Sequence, residues 1–560
     1  MGIGLILEEH GLITQDQLDE AIAEHHRTGE RLDRVFVRLG FVSREDVLRA
    51  LGDQFHMPVV DLATTAVERD VLEILPAQLV YKQRCVPIDR ENGALVVATS
   101  DPFELTALDE LKLLTGLSIE LVLADEEELH KFIRAHYGVA GGTLDAMAAD
   151  GSDAVIEDGS ATDEVEQAQE AGVIKLVNDL LIEAVTERAT DVHIEPYEDE
   201  LAVRYRIDGV LQRANTPPTI HRYAGAIISR LKIMANLNIA EKRVPQDGRI
   251  TFNYRNDEGR LEEFDLRVSV IPMLFGEGVV LRVLNKTAVL MDLDDLGMPS
   301  GVLGRWDGLI TKPHGIVLVT GPTGSGKSTT LYASLNRIVT DEVKVITVED
   351  PVEYHVPGVN QIQVNTKVGL SFAAGLRSIL RHDPDAVMVG EIRDKETAET
   401  AVQASLTGHV VFSTLHTNDA AGAVTRLIDM GVEPFLIASS VEGVLAQRLV
   451  RRVCPHCAAQ YEPSPSDLPE DFRLRPGQTL TRGEGCRACR NTGYRGRLGV
   501  YELLAMDAEL REMVMQRVNA PAIAARAAEL GMLSTLRQDG YAKVIDGKTT
   551  MAEVARALST

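Results

Sequence analysis

The sequence is short of positive charge. Its 57 lysines and arginines face 84 aspartates and glutamates, giving a formal net charge of −27. Neutralising a nucleic-acid backbone needs a basic surface, so no nucleic-acid partner is expected. Long apolar runs are also missing, and none approaches the roughly 20 residues that span a bilayer. The segment Met1 to His10 has no basic stretch ahead of an apolar one, so no signal peptide is read there. The expected location is the cytoplasm. Cysteine is scarce, with five in 560 residues. Four form two Cys-x-x-Cys pairs, which in a reducing compartment points to metal and not to disulfides. The fifth, Cys85, lies among Val80, Val86 and Ile88 and reads as a buried, inert thiol. The length exceeds what one core organises, so several domains are expected.

What the sequence does have is a glycine-rich loop, Gly321-Pro322-Thr323-Gly324-Ser325-Gly326-Lys327-Ser328-Thr329. The run before it, Gly315 to Thr320, is short, apolar and β-branched, and predicts a buried strand. Thr329 to Ile338 has helix formers and neither Gly nor Pro. A strand, a glycine loop and a helix make the context of a phosphate-binding loop. Its backbone N–H groups form an anion nest, and the helix N-terminus adds partial positive charge. Lys327 would meet the β- and γ-phosphates of ATP, and Ser328 would hold Mg2+.

The rest of the chain falls into segments. Residues 1–57 hold a helical repeat: Gly11 and Gly40 end one helix in each copy, and Thr14 and Ser43 cap the next. Residues 58–138 predict a small α+β unit, with strands at 95–99 and 118–124 and helices at 104–114 and 126–136. Together these form an N-terminal docking region, 1–138. Residues 139–170 contain no Lys or Arg and many acids, and read as an acidic flexible linker. A second α+β domain, of PAS-like form, is expected over 171–285. It opens with an amphipathic helix at 173–185. In its strand 201–207, Arg204 and Arg206 share one face. Arg230, Arg243 and Arg249 follow, with Pro245 to Gly248 read as a turn. A solvated face is the ordinary reading of such arginines. Their place upstream of a phosphate loop makes a second role reasonable, and the expectation is that at least one of Arg204, Arg206 and Arg230 acts in trans on a transferring phosphoryl group.

Residues 286–560 alternate strand and helix after the loop, the pattern of an α/β parallel sheet. Glu349, Glu391 and His416 each follow or end a predicted strand. Ligands of such sheets bind outside the carboxyl ends of the strands, so these residues and the loop share one rim. No second cation is evident beside Lys327. Cys454, Cys457, Cys486 and Cys489 fit closed tetrahedral ligation of a structural Zn2+ in a hairpin over 451–500. A helical tail is expected over 501–560, with Gly531, Gly540 and Gly547 as its breaks.

These motifs together resemble the secretion ATPases of type II secretion and type IV pilus assembly, most clearly over 171–560. Gly321–Ser328 is similar to the family's Walker A, 348–354 to its Asp box, 385–394 to its Walker B, and 407–418 to its His box. The resemblance implies a RecA-like ATPase core and a homo-hexamer. It gives Glu349 the attacking water to polarise, Glu391 the Mg2+ and water to organise, and His416 the γ-phosphate to sense. It implies peripheral membrane association, through inner-membrane secretion or pilus platform proteins docked on the N-terminal region. Some relatives bind cyclic di-GMP through repeats opening Arg-Leu-Gly. Here the repeats read Gly2-Ile3-Gly4 and Arg31-Leu32-Asp33, so that ligand is not expected. The cysteines and the long N-terminal region resemble assembly and export members and not the shorter retraction motors. The wording of 419–427 and 445–451 is closer to the secretion branch, which implies assembly of a type II pseudopilus, with type IV pilus extension as the alternative. A nucleic-acid motor on the same core is disfavoured by the acidic balance. Intact Lys327, Glu349 and Glu391 argue against a scaffold that only binds ATP.

Overall fold

The computed structural model describes residues 3–28, 32–62, 64–65, 67–72, 74–75, 77–91, 93–100, 111–113, 115–138, 143–144, 147, 170–255, 261–285, 291–464, 468–475 and 477–559. Most of the helix expected at 104–114 (all but 111–113, which are helical), most of the acidic linker, and Gly2 and Arg31 of the repeats lie outside them. The chain divides into two compact units, Met1–Asn256 with Phe264–Val283 and Asp257–Glu263 with Leu284–Thr560. Among the described residues no helix is long and apolar enough to cross a membrane.

The first unit opens with four helices, Ile3–Glu9, Gln15–Thr28, Leu32–Arg38 and Arg44–Phe55. Gly11 and Gly40 both take positive φ after a helix. Thr14 and Ser43 both accept a backbone N–H three residues on. The two copies thus share a stop and a start, and their apolar faces form one core. Three strands follow, Cys85–Glu91, Ala94–Thr99 and Ser118–Leu123, with helix Glu126–Tyr137. The first two strands pair antiparallel and the last two parallel. Cys85 is buried in their core.

A six-stranded sheet completes this unit. Its order is Val210–Arg213, Leu201–Ile207, Asp191–Pro196, Gly276–Asn285, Leu261–Met273 and Gln246–Arg255. Helices Ala171–Thr186 and Ala224–Met234 pack on the face that carries Val192, Ile194, Val203 and Tyr205. Alternation leaves Asp191, His193, Glu195, Arg204 and Arg206 on the other face. The expected turn at Pro245–Gly248 is instead the entry to a strand that starts at Gln246. The Gln246 side chain bonds Asn238 and Glu241 backbone groups and holds that entry in place. Gly248 serves close approach and not a turn, since a Cβ there would sit 2.8 Å from Ala235 O. Part of the expected linker is also packed. Leu144 and Met147 are buried in this core, and Thr143 Oγ1 donates to Asp179 at 2.8 Å.

The second unit is built on an eight-stranded sheet, whose elements are numbered here within the unit. They are β1 Gly315–Thr320, β2 Val345–Glu349, β3 Val359–Gln363, β4 Ala386–Val389, β5 Val410–Leu415, β6 Val441–Val453, β7 Tyr494–Ala505 and β8 Leu533–Ser534. The spatial order is β3-β2-β4-β5-β1-β6-β7-β8. The first six are mutually parallel, and β7 and β8 add on antiparallel. Helix α1, Lys327–Ile338, follows β1. Ile316 and Leu318 of β1 enter one core layer, Val317 and Val319 the other. Burial on both faces is why this strand reads as an unbroken apolar run.

The tail departs from the expectation of helices throughout 501–560. Strand β7 runs to Ala505 because it pairs with β6 along nearly its whole length. Helices Ala508–Met515, Ala520–Glu529, Leu536–Ile545 and Met551–Leu558 follow. Gly531 and Gly547 stop helices with positive φ. Gly540 does not break one: it lies inside Leu536–Ile545, where a Cβ would meet Val554 at 2.7 Å.

Candidate nucleotide site and metal centre

The loop Gly321–Gly326 leaves the carboxyl end of β1 and enters α1 through Gly326, whose φ of 88° only glycine adopts readily. Crowding by β6 sets a second demand for glycine. A Cβ on Gly321 would lie 2.5 Å from Gln447 O, and one on Gly326 would lie 3.0 Å from Gln447 Nε2. Lys327 Nζ donates to Gly321 O at 2.8 Å and Pro322 O at 2.9 Å, so its ammonium lies over the loop. Burial pushes Lys327 down to about 8; Glu391 opposes that shift and Arg448 adds to it. This donor set fits a polyphosphate. Lys327 and the N–H groups of the loop would hold it, and Ser328 in the first turn of α1 would hold its Mg2+.

The strand ends bring the acids to the same rim. Glu391 follows β4, and its two oxygens face Arg393 at 2.6 Å and His416 Nε2 at 3.4 Å. It also interacts electrostatically with Lys327. His416 follows β5 and is half exposed. Thr320 Oγ1, at the end of β1, accepts the Thr417 N–H at 2.9 Å and so ties the His416 loop to the phosphate loop. His409 has a different task, since its Nδ1 meets Ala404 O at 2.9 Å in the turn before β5.

Glu349 has an unexpected setting. It ends β2 on the same rim but is only 4% exposed. One oxygen is bonded by Thr347 Oγ1 at 2.6 Å and Gln361 Nε2 at 3.1 Å, the other by Tyr332 OH. Burial, reinforced by this carboxylate, pushes the Tyr332 phenol well above its usual value. Three donors from three elements hold Glu349 rigidly, whereas Glu391 stands beside a half-exposed imidazole.

A second cation does stand near Lys327, contrary to the reading of the sequence. Arg448 on β6 is buried, and its guanidinium donates to Gln447 O at 3.1 Å and Asn418 O at 3.0 Å. Burial depresses its pKa, against the pull of Glu502 and Asp419. It was missed because it lies more than a hundred residues beyond the loop, and only strand order makes them neighbours.

Arg204, Arg206 and Arg230 belong to the other compact unit. Arg204 is paired with Glu195, and Arg206 with Asp191 at 3.5 Å. Arg230 does not share their face, because it is carried by the helix on the opposite side of that sheet. Its Nε is buried without a hydrogen-bond partner.

Cys454, Cys457, Cys486 and Cys489 converge as the spacing predicts. Their sulfurs all lie within 4.8 Å of one another. Three of the separations are 3.8, 3.8 and 3.7 Å. A tetrahedron with metal–sulfur bonds of about 2.3 Å has edges of about 3.8 Å, so the cluster fits Zn2+. Burial pushes Cys489 up, but the N–H groups of Cys486 and Gly493 outweigh it and bring the thiol to about 7. Strands Ala458–Tyr461 and Leu480–Gly483 pair between the two knuckles. Zinc binding, on the order of 10–16 kcal/mol in small modules, would hold this hairpin. Cys486→Ser should lose the metal, and with it protease resistance over 454–489, before nucleotide binding changes. Elemental analysis and limited proteolysis check this. Protein purified under reducing conditions without zinc would refute the site.

Comparison with known proteins covers these same residues. The family described as type II/IV secretion system protein matches residues 166–556, and the MshEN domain matches 55–143. The chain is 42% identical to the type IV pilus assembly ATPase PilB of Myxococcus xanthus, over 99% of this chain and 98% of that one. It is 48% identical to type II secretion system protein E of Klebsiella pneumoniae, over 80% of this chain and 90% of that one. The Yersinia pseudotuberculosis ATPase DotB is similar in fold, with a TM-score of 0.51 at 20% identity, covering 69% of this chain and 94% of that one. A match that runs from before the six-stranded sheet to the last helix leaves no part of the rim outside it: the chain belongs to the type II/IV secretion system protein family and is one of its ATPases.

Proposed function

We propose that this ATPase works as a hexamer at the cytoplasmic face of the inner membrane and drives assembly of a type II secretion pseudopilus. The observation that carries the enzymatic part is the rim itself, where Lys327, Glu391 and His416 meet at the ends of adjacent parallel strands. ATP would supply the phosphoryl group, Mg2+ would neutralise charge on its phosphate oxygens, and Zn2+ would supply a structural crosslink. The residues of this chain hold the phosphates, orient water beside Glu391 and read the γ-phosphate through His416. The pseudopilus branch rests on the wording of 419–427 and 445–451, which resembles the secretion members. A second reading, pilus extension, is favoured by the longer alignment of the pilus relative, which takes in nearly the whole chain. The N-terminal region would dock on an inner-membrane platform protein, with neither nucleic acid nor cyclic di-GMP as a ligand.

Deleting the gene in its source cell separates the two branches. Loss of extracellular enzymes with surface pili intact supports the secretion reading, and loss of pili with intact export replaces it with the second. Complementation with Lys327→Ala should fail in either case. Pull-down of inner-membrane proteins by the full chain, but not by a chain lacking 1–138, tests the docking region.

A further inference from the structure

Gln447 is the fully buried polar side chain of β6, 1% exposed and one residue beyond the level at which Thr320 pairs with Ala446. Its amide spans two parts of the nucleotide site. Nε2 donates to Ser325 O at 2.6 Å, and Oε1 accepts from Thr330 Oγ1 at 2.8 Å. The orientation is forced, since a carbonyl oxygen can only accept. Thr330 is itself buried and its N–H bonds Gly326 O at 3.1 Å. Ser334 in the next turn donates to Thr330 O at 2.7 Å and accepts the indole N–H of Trp306 at 3.0 Å. One buried hydrogen-bonded network therefore runs from the core under α1 to the phosphate loop.

We infer that Gln447 is a positioning residue for the nucleotide, acting through the Ser325–Gly326 peptide. In a trans peptide the C=O and the N–H point in opposite directions. Pinning Ser325 O on Gln447 turns the Gly326 N–H away from β6. That N–H is one of the donors at the start of α1 that a phosphate would meet. Without the pin, glycines on both sides of Ser325 leave the peptide free to rotate, and the donors must be ordered anew at each binding event. Pre-organised donors are worth most where charge must be met without reorganisation. The chain supplies this pin from a parallel neighbouring strand. The inference rests on the nucleotide-site reading above, and the test separates the two.

The test uses the full chain, with a fluorescently labelled Mg-ADP as the binding probe and ATP as substrate. Gln447→Leu removes both hydrogen bonds at nearly constant volume. Gln447→Met also removes both hydrogen bonds, with a more flexible side chain of similar volume. Both should raise the ADP Kd and the ATP KM by roughly ten-fold, with kcat changed much less. Thr330→Val leaves the Nε2 bond in place and should raise Kd less than either. A merely structural role would lower the melting temperature of all three variants without moving Kd in the folded protein. Folded Gln447→Leu or Gln447→Met with Kd within two-fold of the parent overturns the inference. Where Gln447→Leu does not fold, Gln447→Met carries the test. If Lys327→Ala also binds as the parent does, the nucleotide-site reading itself fails. If it loses binding while both Gln447 variants keep theirs, only this inference fails.

Discussion

Glu391→Gln should bind ATP as the parent does and hydrolyse it at least about 10²-fold more slowly. The substitution keeps the shape of the side chain and removes its charge. Binding depends on the loop backbone and Lys327, which the change leaves in place. Turnover depends on a fixed charge beside the attacking water, and Glu391 is the acid that stands between His416 and Arg393 at the open rim. Lys327→Ala should remove turnover altogether, because Lys327 is the ammonium that lies on the loop. Purified Glu391→Gln with near-normal turnover would sink the assignment. Glu349→Gln separates the two acids. Three donors already hold its oxygens, so its loss should perturb Tyr332 and Gln361 as well and lower the melting temperature. Glu391→Gln, at a site facing solvent on one side, should melt near the parent.

The rim was legible because its evidence is local. A strand end, a glycine loop and a helix free of Gly and Pro each announce themselves within about ten residues, and the sheet topology brings them together. The cysteine cluster was legible for a related reason, since each knuckle is a local Cys-x-x-Cys and only their meeting is long-range. What stayed hidden depends on strand order. Gln447 and Arg448 lie on β6, which sits beside β1 although it follows four other strands in sequence. Nothing in the local sequence says that a buried glutamine there faces Ser325. Gly540 and Gly248 were misread for the opposite reason. Glycine reads as a break or a turn by propensity, yet both positions are set by what packs against them, Val554 and Ala235. In the same way, charge composition marked 139–170 as a linker. Two apolar residues in it, Leu144 and Met147, were enough to dock part of it on a core.

Mixing two inactive proteins should restore activity if arginines act between subunits. Arginine is always charged and can bind two oxygens at once, which suits charge spreading over a transferring phosphoryl group. An arginine supplied to such a site is worth roughly 10³–10⁵ in rate. Arg204 and Arg206 share the face of the six-stranded sheet opposite its two helices, so one docking event would present both. Their present partners do not prevent this. Arg206 is 36% exposed and its Asp191 contact is 3.5 Å, and ion pairs of that kind contribute about 0–1 kcal/mol. A phosphate offers more charge at shorter range. Arg230, on the other side of the sheet, is expected to contribute least, so Arg204→Ala/Arg206→Ala should lose nearly as much activity as the triple variant with Arg230→Ala. Specific activity of the parent should rise with protein concentration as assemblies form. A mixture of Arg204→Ala/Arg206→Ala/Arg230→Ala with Lys327→Ala should regain part of it, because intact arginines on one chain can serve the intact loop of the other. A mixture that co-assembles and stays inactive would place these arginines within their own chain, as the partners of Glu195 and Asp191 and no more.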